Sequence, residues 1–183
     1  MRARDRVDPI EVSDGRVRAV IERVTPVVDG GRFAAKRIVG DRVEVQADCF
    51  ADGHDVVACT LSWRRAGAAQ WKNARMTSRG NDRWQAGFVV DALGRWEYTV
   101  SAWVDPFLTW QHDFARRVDA ADLRVAALSG AALIEEAAQR VPKASDAKRL
   151  LAWAAELAQA AERGARPDEL RRIGTDAGRS AIA

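Results

Sequence analysis

The chain has 183 residues, of which 48% are hydrophobic and 30% charged, with a formal net charge of +3 and a pI of about 9.2. That length accommodates one sandwich of ordinary size plus a smaller appendage. No apolar run approaches the roughly 20 residues of a membrane span, and the charged first residues lack the apolar core of a secretory signal. The composition therefore predicts a cytoplasmic protein without a membrane partner.

The basic pI raises the question of nucleic-acid binding. Charges of both signs alternate through most of the chain, and the short clusters that stand out are arginine pairs at 64–65, 116–117 and 171–172. No stripe and no recognised nucleic-acid motif joins them. A solvated, slightly basic surface explains this distribution, so we expect no nucleic-acid partner.

The first half of the chain has the periodicity of strands. Residues 1–15 are polar and without pattern, which predicts a loose leader. From residue 16 hydrophobic and polar residues alternate, as in strands with one buried face, and short turns rich in Gly and Asp separate the runs. This spacing predicts an immunoglobulin-like β-sandwich over residues 16–117. Its clearest inward-facing positions are Val43, Val45, Ala47 and Cys49, then Val57, Cys59, Leu61 and Trp63, and later Trp96, Tyr98, Val100, Ala102 and Val104.

The two cysteines, Cys49 and Cys59, are too few for a disulfide framework, and their spacing matches no zinc motif. Each lies in the apolar phase of a predicted strand. We therefore expect two buried free thiols.

The period changes near residue 118, which predicts a helical segment over residues 118–183. Asp119 is a suitable N-cap for a first helix that Pro142 ends, and Gly164 ends a second helix capped by Ser145. A short third helix begins at Pro167, followed by a patternless, disordered tail from Gly174. Two long helices and a stub form only part of a bundle. The predicted fold class is thus mainly β, a sandwich followed by an α-helical segment.

Motifs of catalysis are missing from the sequence: there is no G-x-S-x-G, P-loop, H-E-x-x-H or C-x-x-C. His54 lies between Asp52 and Asp55, but a hydrogen-bonded turn explains this group better than a metal site. His112 alternates with Trp110 and Phe114, which predicts a semi-buried structural histidine. We therefore predict no catalytic residue, no metal and no cofactor.

Tryptophan is unusually frequent, with seven residues. Trp63, Trp84 and Trp96 fall on the apolar side of predicted strands and are expected in the core. The other candidates for contacts with a ligand or a partner are Trp71, Trp103 and Trp110. An exposed indole can stack on a sugar ring or anchor a protein interface, and the sequence leaves both open.

Several short motifs occur in an order that is similar to one protein family. They are Asp29-Gly30-Gly31-Arg32-Phe33, Lys36-Arg37, Gly40-Asp41, Ala47-Asp48 with Phe50, Asp52-Gly53-His54-Asp55, Asn81-Asp82-Arg83-Trp84, Gly94-Arg95-Trp96-Glu97-Tyr98-Thr99-Val100, Ala102-Trp103-Val104-Asp105 and Thr109-Trp110. Residues 17–115 resemble the N-terminal domain of the α-1,4-glucan:maltose-1-phosphate maltosyltransferases, members of the α-amylase clan. The helices that follow resemble the helical insertion that interrupts this domain in the family.

The resemblance implies an activity for a longer enzyme: retaining transfer of a maltosyl unit from α-maltose 1-phosphate to the non-reducing end of an α-glucan. That chemistry needs two carboxyl groups roughly 5 Å apart, and in this clan both lie on a (β/α)₈ barrel of about 250 residues. The barrel would follow this chain. We therefore expect the chain alone to be inactive, with glucan and maltose 1-phosphate bound only through the missing barrel.

The N-terminal domain of that family helps to form a homodimer and packs beside the barrel, so the resemblance implies a dimerisation and scaffolding domain. The alternative is a stand-alone α-glucan-binding module that uses exposed tryptophans. A sandwich truncated before its last strand would also have an open edge, which favours self-association.

Overall fold

The computed structural model describes residues 18–182, which belong to two compact units. The β unit runs to Gly53 and continues over Val57–Val104. The helical unit comprises His54–Val56 and the chain from Asp105 onward. No helix in the described range is long and apolar enough to cross a membrane.

The β unit contains seven strands in two antiparallel sheets. They are β1 (Ala19–Thr25), β2 (Arg42–Ala51), β3 (Val57–Arg65), β4 (Lys72–Arg75), β5 (Thr77–Ser78), β6 (Arg83–Val89) and β7 (Trp96–Val104). The first sheet has the order β1-β2-β6-β5 and the second the order β4-β3-β7. The predicted fold class, a mainly β sandwich with a helical segment after it, is confirmed.

The core of the β unit lies between the two sheets. Because successive side chains of a strand point to opposite faces, one phase of each predicted strand is inside, as expected. The buried residues of this core cluster are Val43, Val45, Ala47, Cys49, Val57, Cys59, Leu61, Met76, Phe88 and Val90. Trp63 stacks on Phe88 with ring centroids 5.4 Å apart, which joins the two sheets. Both cysteines are buried and free, as predicted.

The helical unit contains five helices: α1 (Pro106–Arg116), α2 (Ala120–Arg140), α3 (Ala144–Glu162), α4 (Pro167–Gly174) and α5 (Ala177–Ser180). Asp119 caps α2 by accepting hydrogen bonds from two backbone N–H groups, as the sequence predicts. The second predicted helix, α3, begins one residue before Ser145, with Lys143 at its N-cap position. The tail predicted to have no pattern contains α5. Its N-cap is Asp176, whose side chain accepts a hydrogen bond from Arg179 N at 2.9 Å.

Helix α1 is the main departure from the sequence analysis, which extends the sandwich to residue 117. Asp105 caps α1 by accepting from Leu108 N at 3.0 Å, and Pro106 is in its first turn. In a helix Trp110 and Phe114 share a face, while the residue midway between them does not. His112 is therefore exposed and bonded to Arg116 at 2.9 Å, and the prediction of a semi-buried histidine is wrong.

The bundle predicted to be incomplete is closed by α1. Phe107 and Phe114 of α1 lie in one core with residues of α2, α3 and α4. Trp110 stacks on Phe114 with centroids 4.9 Å apart and donates its indole N–H to Ala126 O at 2.7 Å. The buried residues that complete this core include Leu123, Ile134, Leu150, Trp153, Leu157 and Leu170.

Gly130 has a packing role inside α2. Helix α2 continues through it without a break. A Cβ at this position would lie 1.9 Å from Cζ2 of Trp110. The absence of a side chain at Gly130 therefore allows the Trp110 indole ring to pack directly against the backbone of α2.

We expect Gly130→Ala to lower the free energy of unfolding. Overpacking costs about 1–3 kcal/mol, and the approach of 1.9 Å to a ring that is already stacked and hydrogen-bonded cannot be relieved cheaply. This cost outweighs the roughly 1 kcal/mol by which alanine favours a helix over glycine. Urea unfolding followed by far-ultraviolet circular dichroism measures the change. The neighbouring exposed Ser129→Ala is the control; equal stability of both variants would contradict the packing role.

Candidate interaction surfaces

The three tryptophans singled out as contact candidates have different environments. Trp71 and Trp103 are exposed by 39% and 42% of their surface, and both belong to the β unit. Trp110 packs in the helical core, with its indole N–H bonded to Ala126 O. Since its ring and its N–H are both occupied, Trp110 is placed as a core residue, and Trp71 and Trp103 are the two that face solvent.

Trp71 and Trp103 lie at opposite ends of the outer face of the second sheet, here called the tryptophan face. In antiparallel strands directly paired residues share a face, so the register gives its composition. The pairs are Ala58 with Trp103, Thr60 with Ser101 and Arg75, Ser62 with Thr99 and Asn73, and Arg64 with Glu97. The Arg64 guanidinium lies 4.3 Å from the ring centroid of Trp71. Six residues of β3 separate the two ends, roughly 20 Å at the usual strand rise.

A second surface lies where the chain between β1 and β2 crosses one end of the sandwich. This mouth surface comprises residues 26–39 together with Leu93 and Arg95. It borders a cavity of about 710 Å³. The cavity's apolar floor is formed by Val43, Phe88, Val90, Trp96 and Tyr98.

The mouth surface exposes large apolar side chains. Phe33, Ile38 and Leu93 have 61%, 72% and 79% of their surface in solvent. Val27, Val28 and Val39 are exposed as well. Three of these six residues, Val27, Val28 and Phe33, line the cavity itself. Single exposed apolar residues are ordinary, but a group of this size on one surface is typical of an interaction site.

Arginines surround the same cavity. Arg32 pairs with Asp29 at 3.3 Å, whereas Arg37 and Arg95 form no ion pair with a carboxylate of residues 18–182. Arg37 donates to Lys36 O at 2.7 Å. The cavity therefore combines an aromatic floor with a basic rim. Aromatic and arginine side chains are the types enriched at protein interfaces.

Two local features hold the loop of the mouth surface in place. Tyr98 donates its hydroxyl hydrogen to Pro26 O at 2.6 Å, across 72 positions of sequence. A short turn at Asp29–Gly31 then reverses the chain, with Gly30 and Gly31 at positive φ values of 62° and 87°. Glycine tolerates this region without strain. Tyr98 thus connects the loop to the sandwich core.

Burial raises the pKa of the Tyr98 hydroxyl above its ordinary value of 10.0, and the Arg37 guanidinium partly opposes the rise. Both effects have a simple cause, since low polarity disfavours the phenolate and a nearby cation favours it. The neutral hydroxyl is the form that donates to Pro26 O. The loop is consequently held by a group that stays protonated throughout the neutral range.

Titration of Tyr98 provides a direct test, because it is the single tyrosine of the chain. We expect tyrosinate absorbance to develop at higher pH in the folded protein than in denaturant. Since the folded pKa is raised, folding favours the protonated form. Stability should therefore be unaffected below the unfolded pKa of about 10 and decline as pH rises through the folded value. Tyr98→Phe removes the absorbance change; identical titrations in folded and denatured protein would refute the buried hydroxyl.

His54 lies in the turn between β2 and β3, and Asp52 of that turn pairs with Arg18 at 3.4 Å. Within residues 18–182, no group of three His, Cys, Asp or Glu side chains is arranged to hold a metal ion.

Sequence reasoning missed the mouth surface as a site. Its apolar residues lack the period of a strand or a helix, so they escape a search for amphipathic elements. A signal was present nonetheless: five large apolar residues occur between Val27 and Val39, next to the glycines of a turn.

Comparison with known proteins agrees with the resemblance of the motifs. A family model described as alpha-1,4-glucan:maltose-1-phosphate maltosyltransferase, domain N/S, matches residues 17–177. The maltosyltransferase of Chlorobaculum tepidum is 48% identical over 132 residues, which cover 69% of this chain and 19% of the relative. That of Myxococcus xanthus is 45% identical over 142 residues, with coverage of 74% and 21%. Isoform 1 of Streptomyces coelicolor is 39% identical over 132 residues, with coverage of 70% and 20%.

The chain spans about a fifth of the length of these relatives. The match of the family model extends from the first strand of the sandwich into the last helix of the helical unit. It thus includes residues of both units. The chain belongs to the α-1,4-glucan:maltose-1-phosphate maltosyltransferase family and corresponds to its N-terminal N/S region.

Proposed function

We propose that this chain is the dimerisation and scaffolding region of a cytoplasmic maltosyltransferase that extends α-1,4-glucans from α-maltose 1-phosphate. The relatives that match it carry that name and are about five times as long as the aligned region. The observation that carries the proposal is the mouth surface, whose exposed apolar side chains lie at and beside the mouth of a cavity. The catalytic residues for maltosyl transfer would lie in the part of such an enzyme that is outside the region matched by this chain.

The composition of the mouth surface supports a protein partner. Apolar side chains lie beside arginines around one concave site, as in the central part of many protein interfaces. A small ligand would need the cavity but not the apolar rim outside it. Burial of Phe33 in an interface would contribute about 1.5–3 kcal/mol, the usual value for a large apolar side chain. We assign this surface to contact with a second copy of the chain.

The strand order supports an immunoglobulin-like topology as part of the proposal. The two sheets correspond to strands A-B-E-D and C′-C-F of such a sandwich. Strand β7 then occupies the position of strand F. Within the described residues its edge opposite β3 pairs with no other strand. This edge is a second place at which chain association is expected.

Light scattering across a range of protein concentrations tests the assignment. We expect the wild-type chain to associate. In Phe33→Asp the association constant should fall at least tenfold, or about 1.4 kcal/mol, because the new carboxylate would be buried in the interface. Val125→Asp is the matched control, since Val125 is also an exposed apolar residue but lies on α2. A monomer at all concentrations would refute dimerisation. Equal association of the wild type and Phe33→Asp would place the interface elsewhere.

A second candidate function is α-glucan binding through the tryptophan face. Sugar rings stack on exposed aromatic rings and form hydrogen bonds with hydroxyl and amide groups. The face offers both: two exposed indoles with threonine, serine and asparagine side chains between them. The contact between Arg64 and Trp71 would hold the indole in a defined orientation.

Titration with maltoheptaose, followed by tryptophan fluorescence, distinguishes this candidate. Binding should give saturable quenching that Trp103→Ala and Trp71→Ala each weaken, since each variant removes one stacking ring. Phe33→Ala serves as the control, because it alters an exposed aromatic residue outside the tryptophan face. If the wild type shows no saturable quenching up to the solubility limit of the sugar, the face is not a glucan site.

A further inference from the structure

The two cysteines meet inside the sandwich, although they belong to different sheets. Cys49 lies in β2 of the first sheet and Cys59 in β3 of the second. They have 1% and 0% of their surface exposed, they lie in the same buried cluster, and each thiol influences the pKa of the other. The loop at 52–56 joins β2 to β3, and each cysteine is the third strand residue away from this loop. The two cysteines therefore lie at the same level along the two strands, close to the point where the chain passes from one sheet to the other.

The pair is packed among side chains of both sheets, and Cys49 has Ile21 as its cross-strand partner. Ala102 is the cross-strand partner of Cys59, and Ala47 precedes Cys49 on the same inner face. The backbone at both positions is fixed. Cys49 N donates to Asp82 O at 2.9 Å, and Cys59 O accepts from Met76 N at 2.9 Å. Rotation about the side-chain bonds is thus the main freedom left to the sulfurs.

We propose that Cys49 and Cys59 are an oxidation site at which a peroxide forms an intersheet disulfide. One thiolate attacks the O–O bond and becomes a sulfenic acid, with hydroxide as the leaving group. The second thiolate attacks that sulfur; the S–S bond forms as the sulfenic oxygen leaves as hydroxide. Protonation gives a net reaction in which two thiols and one peroxide yield one disulfide and two waters. The two electrons pass from the thiols to the peroxide.

Burial controls the rate of this reaction. Desolvation raises the pKa of both thiols, so little thiolate exists in the closed sandwich. Oxidation should therefore follow local opening at the 52–56 end. Once a sulfenic acid has formed, the neighbouring thiol is already in contact with it. Intramolecular closure should then be favoured over further oxidation or a disulfide between two chains.

The test is treatment of the native chain with hydrogen peroxide, then denaturation, alkylation and mass spectrometry. We expect the number of alkylatable thiols to fall from two to zero, with the loss of two hydrogen atoms and one peptide that joins Cys49 to Cys59. Urea below the unfolding transition should accelerate the loss severalfold. Peptide mapping separates this product from oxidation of Met76.

Cys49→Ala and Cys59→Ala are the matched variants, each checked for folding by circular dichroism. Neither should form an intramolecular disulfide, and the remaining cysteine should be oxidised further or join two chains. The proposal is overturned if the wild-type chain retains two alkylatable thiols after peroxide treatment in sub-denaturing urea. It is also overturned if the disulfide joins two chains.

Discussion

Phe88 is the contact on which the β unit depends. It projects from the first sheet, stacks on Trp63 of the second at 5.4 Å, and lies 6.1 Å from Trp96 and 6.3 Å from Tyr98. Neither sheet could be stable alone, because each has one apolar face that must be removed from water. Phe88 is 3% exposed and brings three aromatic rings of the opposite sheet into one buried cluster.

The two ends of the sandwich differ in what surrounds their inner side chains. At the mouth end Phe88, Trp96 and Tyr98 line the cavity beneath the mouth loop. At the other end larger side chains of the neighbouring strands pack beside the small inner residues of β2: Trp84 lies opposite Ala47 and Ile21 opposite Cys49. The two thiols are therefore enclosed in the core, whereas the aromatic residues border open space.

The sequence predicted the parts of the fold that depend on local periodicity and capping. The alternation from Val43 to Cys49 and the cap at Asp119 were both found where expected. Helix α1 was missed because its apolar residues, Trp110 and Phe114 among them, are compatible with a period of two as well as with a helix. Tertiary packing onto α2 at Gly130 selects the helix, and no local pattern reveals that contact. The mouth surface was missed for a related reason, since its apolar residues have no period.

The mouth surface and the tryptophan face suit different partners because their polar groups differ. The polar side chains that line the mouth cavity are three arginines, Glu97 and Tyr98. Because the Tyr98 hydroxyl already donates to Pro26 O, the apolar centre can be desolvated without burying an unpaired hydroxyl. The tryptophan face has hydroxyls and an amide at its centre, with the indoles at its ends. An apolar protein surface laid on that face would leave those hydroxyls without partners, at a cost of about 1–3 kcal/mol each. A sugar chain, whose own hydroxyls can pair with them, avoids that cost. Protein contact is therefore better accommodated at the mouth, and the tryptophan face is better matched to a polar ligand.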